Sequence, residues 1–534
     1  MKGWSTCLGG VLLLACNVVI AADVQKGVLA AKEGNYAVAV AEFTPLAERG
    51  NKVAQYDLGL MYAQGHGVPQ DAAQAAHWFG LAAAQGDANA QTRLGFIYAH
   101  GEGVPRDFAQ AALWYGKAAA QGNTVAQNNL GLMYETGQGV PKDYNQALSL
   151  FGNAAEKGDS TAQANLGQMY QNGLGVPQDY GQALRWYNQA VAKGSTKAQT
   201  NLGVMYANGN GVPKDPVKAA DLYREAAAQG DAWAQYNLGR AYDQGIGVQQ
   251  NYAEAVTLYR ESANQGNANA QNNLGAMYNH GHGVAQDFGE SVQWYRKAAD
   301  QGNASAESNL GEMYDMGYGV PQDYAQALSW FQKAADQNDS GAQVNLGTMY
   351  SKGRGVPQSY ADAFAWYNKS AAQGNAQAQA NLGTMYLNGE GRSKDYAQAI
   401  EWFQKSADQG NATAQTNLGM MYVKGLSVPR DYARAIALFR LGAEQENPTA
   451  QFNLGLMYAN GLGVTKDLVV TYALCVHSTN VVSLSSALSD ATVANRNKLI
   501  AQVSRQLTPK QMGDVQLLLQ DMQRLGVVEA LQAR

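Results

Sequence analysis

The 534-residue chain carries 38 Lys and Arg against 43 Asp and Glu, with three cysteines. Length alone does not separate several globular domains from one elongated array, so periodicity has to decide. Without Lys2 and residues 465–534 the body holds 30 basic against 38 acidic side chains, a balance that repels nucleic acid and anionic lipid, which are bound through clustered Lys and Arg.

The first stretch, MKGWSTCLGGVLLLACNVVIAAD, has an early Lys2, an apolar run from Val11 to Ile20, and Ala21 and Ala22 before Asp23. That is the pattern of a secretory signal peptide over residues 1–22, too short to span a membrane and removed on export. Leu13-Leu14-Ala15-Cys16 offers an alternative, a lipoprotein processing site with a lipid anchor on Cys16. The apolar run continues past Cys16 to Ile20, which argues against it. No later apolar run is long enough to span, so no membrane span is expected and the mature chain is expected to be soluble. Cys7 and Cys16 lie in the leader. Cys475 alone remains, which leaves no partner for an intramolecular disulfide and no Cys-based metal cluster.

Residues 23–50 read as an opening helix pair that caps one end. They lack the pair Leu-Gly, which from residue 51 to 479 recurs every 36 residues, from Leu58 to Leu454, with no insertion or deletion. Its glycines are Gly59, Gly95, Gly131, Gly167, Gly203, Gly239, Gly275, Gly311, Gly347, Gly383, Gly419 and Gly455. An Ala precedes each Leu by four residues and a Tyr follows each Gly by three, so twelve repeats share one frame. The residue after each Gly drifts from Leu60 and Phe96 through Gln168, Arg240, Glu312 and Thr348 to Leu456. Geometry, not shared origin alone, therefore holds the Gly.

Within a repeat, DSTAQANLGQMYQNG offers Asp159 as an N-cap, Ala162, Leu166, Met169 and Tyr170 at helical spacing, and Gly173 as a left-handed C-cap. This is helix A. Helix B starts at Asp179, with Gln182 in a capping-box position. It presents Tyr180, Ala183, Leu184, Tyr187 and Val191 on one face and closes at Gly194. The glycine-rich connection, Gly209-Asn210-Gly211-Val212-Pro213 in the fifth repeat, invites comparison with a phosphate loop, but no strand precedes it and no Gly-Lys-Ser/Thr follows. A joint fits better: one Gly ends helix A, the next allows a tight turn, and Pro213 blocks helix continuation before Asp215. Ser427 replaces the second Gly in the eleventh repeat. The Gly of Leu-Gly is mid-helix, where it costs about 1 kcal/mol relative to Ala. Close approach of helix B of the same repeat is the expected compensation. Residues 480–534 read as two amphipathic helices, the second opening at Thr508-Pro509, that cap the far end; a second docking site is the alternative.

The pattern A-Q-x-N-L-G-x-M-Y-x-x-G-x-G-V-P-x-D-Y-x-Q-A-x-x-W-Y-x-K-A-A-x-Q-G-N resembles the Sel-one-like repeat, a relative of the tetratricopeptide repeat, from about Asn51 to Thr479. Glu307 stands for the Gln, Arg392-Ser393 for Val-Pro and Leu468 for the helix B Tyr. The resemblance implies an all-α fold, a right-handed α/α superhelical solenoid of antiparallel helix pairs whose concave face binds proteins or peptides, without enzymatic activity in most members. Some relatives described as β-lactamases carry paired cysteines in each repeat, which are absent here.

Other chemistry is sparse. His280 and His282 have metal-like spacing, but His66 and His100 hold equivalent loop positions and no carboxylate or Cys accompanies them. Cys475 aligns with the helix B ring position of Tyr187, Tyr223, Tyr259 and Tyr295, which favours a buried thiol over a nucleophile. Trp78, Trp114, Trp186, Trp294, Trp330, Trp366 and Trp402 share one helix B position; a ladder for sugars or Pro-rich peptides is one reading, but Leu150, Leu222, Leu258 and Leu438 substitute there, which favours packing between repeats. Asn303, Asn338, Asn368 and Asn411 sit in glycosylation sequons, and capping accounts for Asn303 and Asn411. No cofactor or metal is expected. The expected function is an exported protein–protein interaction scaffold in the periplasm or cell envelope. A secreted host-directed effector and a hydrolase are the alternatives. Because framework positions serve packing, partner contacts are expected at Gln168, Arg240, Glu312 and Thr348.

Overall fold

A computed structural model describes residues 24–480 and 490–533; the leader with Cys16, and part of the C-terminal segment, lie outside the described residues. Those residues form helices and short turns, with no strand among them, in agreement with the all-α expectation. They divide into two units, 1–267 and 268–534. In the first, a helix over residues 24–32 pairs with Tyr36–Glu48, and six further pairs run from Lys52–Gln64 with Ala72–Ala84 to Ala232–Gln244 with Tyr252–Asn264. In the second, six pairs run from Ala268–His280 with Phe288–Ala299 to Pro448–Asn460 with Leu468–Asn480, followed by Asp490–Ser504, Pro509–Leu525 and Val527–Gln532.

The fourth repeat shows why these residues make this pair. Asp159 accepts the Ala162 N–H at 2.9 Å and starts helix A, Ser160–Asn172, which stops at Gly173 with φ 68°. Asp179 accepts the Gln182 N–H at 3.0 Å and starts helix B, Tyr180–Val191. The capping box expected there does not close. The Asp179 N–H is already given to the Tyr170 carbonyl at 2.9 Å, which ties the start of helix B to the end of helix A and leaves nothing for Gln182 to accept. A reciprocal box does form at Thr508 and Gln511. Helix B ends at Val191, three residues before Gly194, whose φ of 80° turns the chain into the next repeat.

Helix A and helix B meet through a ring laid on a glycine. Tyr187 is fully buried, and a Cβ on Gly167 would sit 2.7 Å from its Cδ1. Gly59 faces Phe79 and Gly311 faces Phe331 in the same way, at 2.8 and 2.7 Å, while Gly455 faces the sulfur of Cys475 at 3.3 Å. Gly203→Ala and Gly239→Ala gain about 1 kcal/mol in helix propensity but push a methyl into Tyr223 and Tyr259, at 2.6 and 2.9 Å. Overpacking costs about 1–3 kcal/mol, so both urea midpoints should fall; midpoints at or above wild type would refute this account. The opening pair, although it lacks Leu-Gly, makes the same contact between Gly27 and the Phe43 ring. Phe43 and Leu46 pack with Ala54 and Leu58 of the first full repeat. At the other end Val515, Leu518 and Met522 cluster with Phe439, Ala473 and Leu474.

A buried amide ladder runs through the first two repeats. The Gln55 amide donates to the Ala47 carbonyl at 2.9 Å and accepts from Gln85 at 2.8 Å; Gln91 does the same with Ala83 and Gln121 at 3.1 and 2.8 Å. One side chain thus links the preceding helix B, its own helix A and its own helix B, and its polar atoms are satisfied away from water. In the third and fourth repeats Lys157 and Lys193 replace the second Gln and reach the Gly122 and Gly158 carbonyls at 2.9 and 2.7 Å. The side-chain oxygens of Gln127 and Gln163 are left buried without a partner.

Glu307 occupies the ladder position in the eighth repeat, buried, accepting from Gln337 at 2.8 Å. Burial pushes its carboxyl above the ordinary range, and the ionised form has no N–H for a carbonyl. With its folded pKa raised, the folded state binds more protons than the unfolded one, so stability falls as pH rises from the unfolded value near about 4.3 through the folded value. Glu307→Gln should therefore raise stability by about 1–2 kcal/mol at pH 7 and by less at pH 4. An equal gain at both pH values in urea titrations would show that ionisation is not the cause.

Candidate functional site

With the framework side chains occupied by packing, surface chemistry falls to the positions between them. Three clefts open between successive A helices. The first, of about 470 Å³, is lined by Leu60, Ala63, Phe96 and Ile97 with Arg93 and Glu102 at its edge. A second, of about 290 Å³, has Val204, Lys214, Tyr223, Asn237, Arg240 and Ile246. The third, of about 420 Å³, has Thr348, Ser351, Tyr367, Asn381, Thr384 and Glu390. Each takes the residue after Leu-Gly from two consecutive repeats: Leu60 with Phe96, Val204 with Arg240, Thr348 with Thr384. The drifting position thus sets the chemistry of a cleft, from apolar through cationic to hydroxyl-rich.

Of the four expected contact residues, Arg240 and Glu312 are exposed and Gln168 and Thr348 half-buried. Arg240 and Thr348 line different clefts, in different units, so the four do not converge on one pocket. The Thr348 hydroxyl is engaged internally, with the Val344 carbonyl at 3.0 Å and the Tyr367 hydroxyl at 3.1 Å, which leaves it less to offer a partner. The sequence reading missed Asn381 and Tyr367 as lining groups, because cleft neighbours come from the next repeat and from helix B.

The remaining candidates resolve individually. The rings of His280 and His282 lie 5.5 Å apart, and among the described residues no group of three or more His, Cys, Asp or Glu side chains converges as a metal site would require. Cys475 is fully buried, and burial pushes its thiol up to about 12, far from the range of a reactive thiolate. Trp186 packs on the cluster of Phe151 and Leu166, and Trp114, Trp330, Trp366 and Trp402 pack likewise on the clusters of Leu94, Leu310, Leu346 and Leu382. The amine of Lys117 lies 3.9 Å from the Trp114 ring, and those of Lys333 and Lys369 lie 3.8 and 3.9 Å from Trp330 and Trp366. A ring covered by its own lysine is no platform for a sugar. Asn303 caps its helix through Ala306 at 2.9 Å and gives its amide to Asn269 at 2.8 Å. Asn411 caps through Ala414 at 2.9 Å, and Asn338 takes a left-handed turn at φ 64°. Among the described residues no helix is long and apolar enough to cross a membrane.

Paired helices in a fixed 36-residue frame, buried framework and junction clefts define an α-helical repeat solenoid, a scaffold of the kind that typically serves protein–protein interaction. The profile of the Sel1 repeat matches twelve consecutive stretches between residues 52 and 473, and the chain belongs to the Sel1 repeat family. Among solved structures it is similar to c5321, a protective antigen present in uropathogenic Escherichia coli strains and displaying an SLR fold. The identity is 36% over 91% of this chain and 97% of that one, with a TM-score of 0.56. It is also similar to a Sel1 repeat protein from Oxalobacter formigenes, at 34% identity over 46% of this chain and 96% of that one, with a TM-score of 0.43. Curated protein sequences gave no match. Sel1 repeat solenoids are in general non-enzymatic scaffolds.

Proposed function

We propose that the chain is an exported scaffold that holds a protein or peptide partner in the clefts between successive A helices, in the periplasm or cell envelope. One observation carries the reading: the residue after Leu-Gly, which drifts while the Leu and Gly stay fixed, lines these three clefts from both sides, as Leu60 and Phe96, Val204 and Arg240, and Thr348 and Thr384. The leader over residues 1–22 supports export. The likeness to c5321, a protective antigen, is compatible with it. Affinity capture from envelope extract tests the function. A defined set of proteins should be retained by the wild type and changed by Arg240→Glu or Glu312→Arg; a set indifferent to both variants, or no retained protein, would count against it. Sequencing of the mature N-terminus should begin at Asp23 in the periplasmic fraction, whereas an acylated Cys16 would mean a lipid anchor and an intact Met1 would exclude processing. Accumulation in the medium instead would favour the host-directed alternative.

A further inference from the structure

The cleft around Arg240 differs in charge from the other two. The first cleft is lined by both Arg93 and Glu102, and the third by both Lys352 and Glu390. The second is lined by two cations, Lys214 and Arg240, and by no carboxylate. Among the described residues neither cation has an Asp or Glu within ion-pairing distance. Arg240 is exposed, and its guanidinium lies 5.8 Å from the Tyr236 ring centroid. A guanidinium is built to take a carboxylate through two parallel hydrogen bonds. In a concave site such a pair is screened less than on an open surface. Beside the cations the cleft carries apolar surface from Val204 and from Ile246, the latter half exposed at 50%, and amide donors from Asn208 and Asn237.

We propose that this cleft is the docking point for an acidic segment of a partner protein, in which a Glu or Asp carboxylate meets Arg240 and Lys214 and a neighbouring aliphatic side chain rests on Val204 and Ile246. The proposal rests on the scaffold reading and names the chemistry of one of its sites. The acidic body of the chain gives the cleft its meaning: an acidic partner is repelled elsewhere and admitted here, which fixes where along the array it docks. The same body charge weighs against a nucleic-acid phosphate as the occupant.

Fluorescence anisotropy on the full chain tests this, using a fluorescein-labelled nonapeptide of alternating Glu and Leu. The peptide should bind, and binding should weaken at least tenfold when Gln replaces Glu in it, and at least tenfold again with Arg240→Glu on the protein. Lys214→Glu should weaken it too, while Lys394→Glu, at the equivalent exposed loop position in the other unit, should not. Arg240 is exposed and carries no ion pair, so circular dichroism should show the variant folded. The proposal is overturned if the Glu peptide does not bind, if the Gln peptide binds as well, if Arg240→Glu binds like wild type, or if a single-stranded oligonucleotide of equal charge binds as tightly. Retention of the same envelope proteins by wild type and Arg240→Glu, with no peptide binding, would sink the acidic-segment proposal and leave the scaffold standing. No protein retained by the wild type would sink the scaffold reading itself.

Discussion

Gly139→Ala will lower the unfolding free energy by about 2–4 kcal/mol, whereas Gly194→Ala, with a similar backbone, will lose only about 1 kcal/mol. Gly139 is the second glycine of the helix A to helix B loop in the third repeat, at φ 71°. A Cβ there would run into the carbonyl group of Phe108 and lie 2.8 Å from its Cβ. Phe108 opens helix B of the preceding repeat, Phe108–Ala120, so the obstacle is backbone locked in a helix and cannot step aside as a side-chain tip could. Gly194 has φ 80° and nothing within 4 Å of the position its Cβ would take; only the left-handed conformation opposes the methyl. Ser427 holds the position equivalent to Gly139 in the eleventh repeat at φ 53°, so this one junction accommodates both the left-handed conformation and a Cβ; the prediction for Gly139 rests on the close approach of Phe108 in its own junction. Urea denaturation of the two variants separates strain from collision. Equal losses would mean that the loop glycines serve only the turn, not the seating of one repeat on the next.

Residues that act within one helix or across one turn were legible in the sequence. The caps at Asp159 and Asp179 and the left-handed stop at Gly173 depend on neighbours three to five residues away, and the structure places them as read. The capping box at Asp179 was misread because its N–H is taken by Tyr170, a competitor outside the four-residue motif. The opening pair hid its Gly27–Phe43 contact because its connection is shorter than in the repeats, where Gly59 pairs with Phe79. A search for a fixed frame passes over a shortened one.

The amide ladder was visible as letters and not as chemistry. Gln55 with Gln85, and Gln91 with Gln121, recur in frame, yet nothing in the spacing says that the two amides touch or that the first also reaches a carbonyl eight residues back. For the same reason Glu307 could be noted as a departure without its consequence, a buried carboxylate that cannot donate. At the clefts, sequence drift marked Arg240 correctly as a free position. Its cationic companion Lys214 comes from the loop after helix A, and its apolar companions Val204 and Ile246 come from two different repeats. Only the stacking of repeats brings them together.

Phe151→Ala is expected to have the largest effect, a loss of about 3–5 kcal/mol, and to act locally. Phe151 is fully buried and lies against Gly131, whose added Cβ would be 2.6 Å from Cε1 of the ring. Around it cluster Ala147, Ala154, Leu166 and Met169, with Leu132 and Trp186 packed on the outside, so one ring joins its own helix pair to helix A of the next repeat. Its removal leaves a cavity that glycine and alanine neighbours cannot reach across to fill. Phe151→Leu, which keeps most of the volume, should lose less than about 1.5 kcal/mol. In a stacked array each repeat is stabilised mainly by its neighbours, so the damage should stay near the ring. Hydrogen exchange followed by mass spectrometry should show lost protection in Thr124–Thr136, Tyr144–Glu156 and Ser160–Asn172, with Tyr36–Glu48 and Lys52–Gln64 close to wild type. Uniform deprotection across residues 24–267 would instead mean that the first unit unfolds as one cooperative body, and that couplings between repeats outweigh the stability of any single pair.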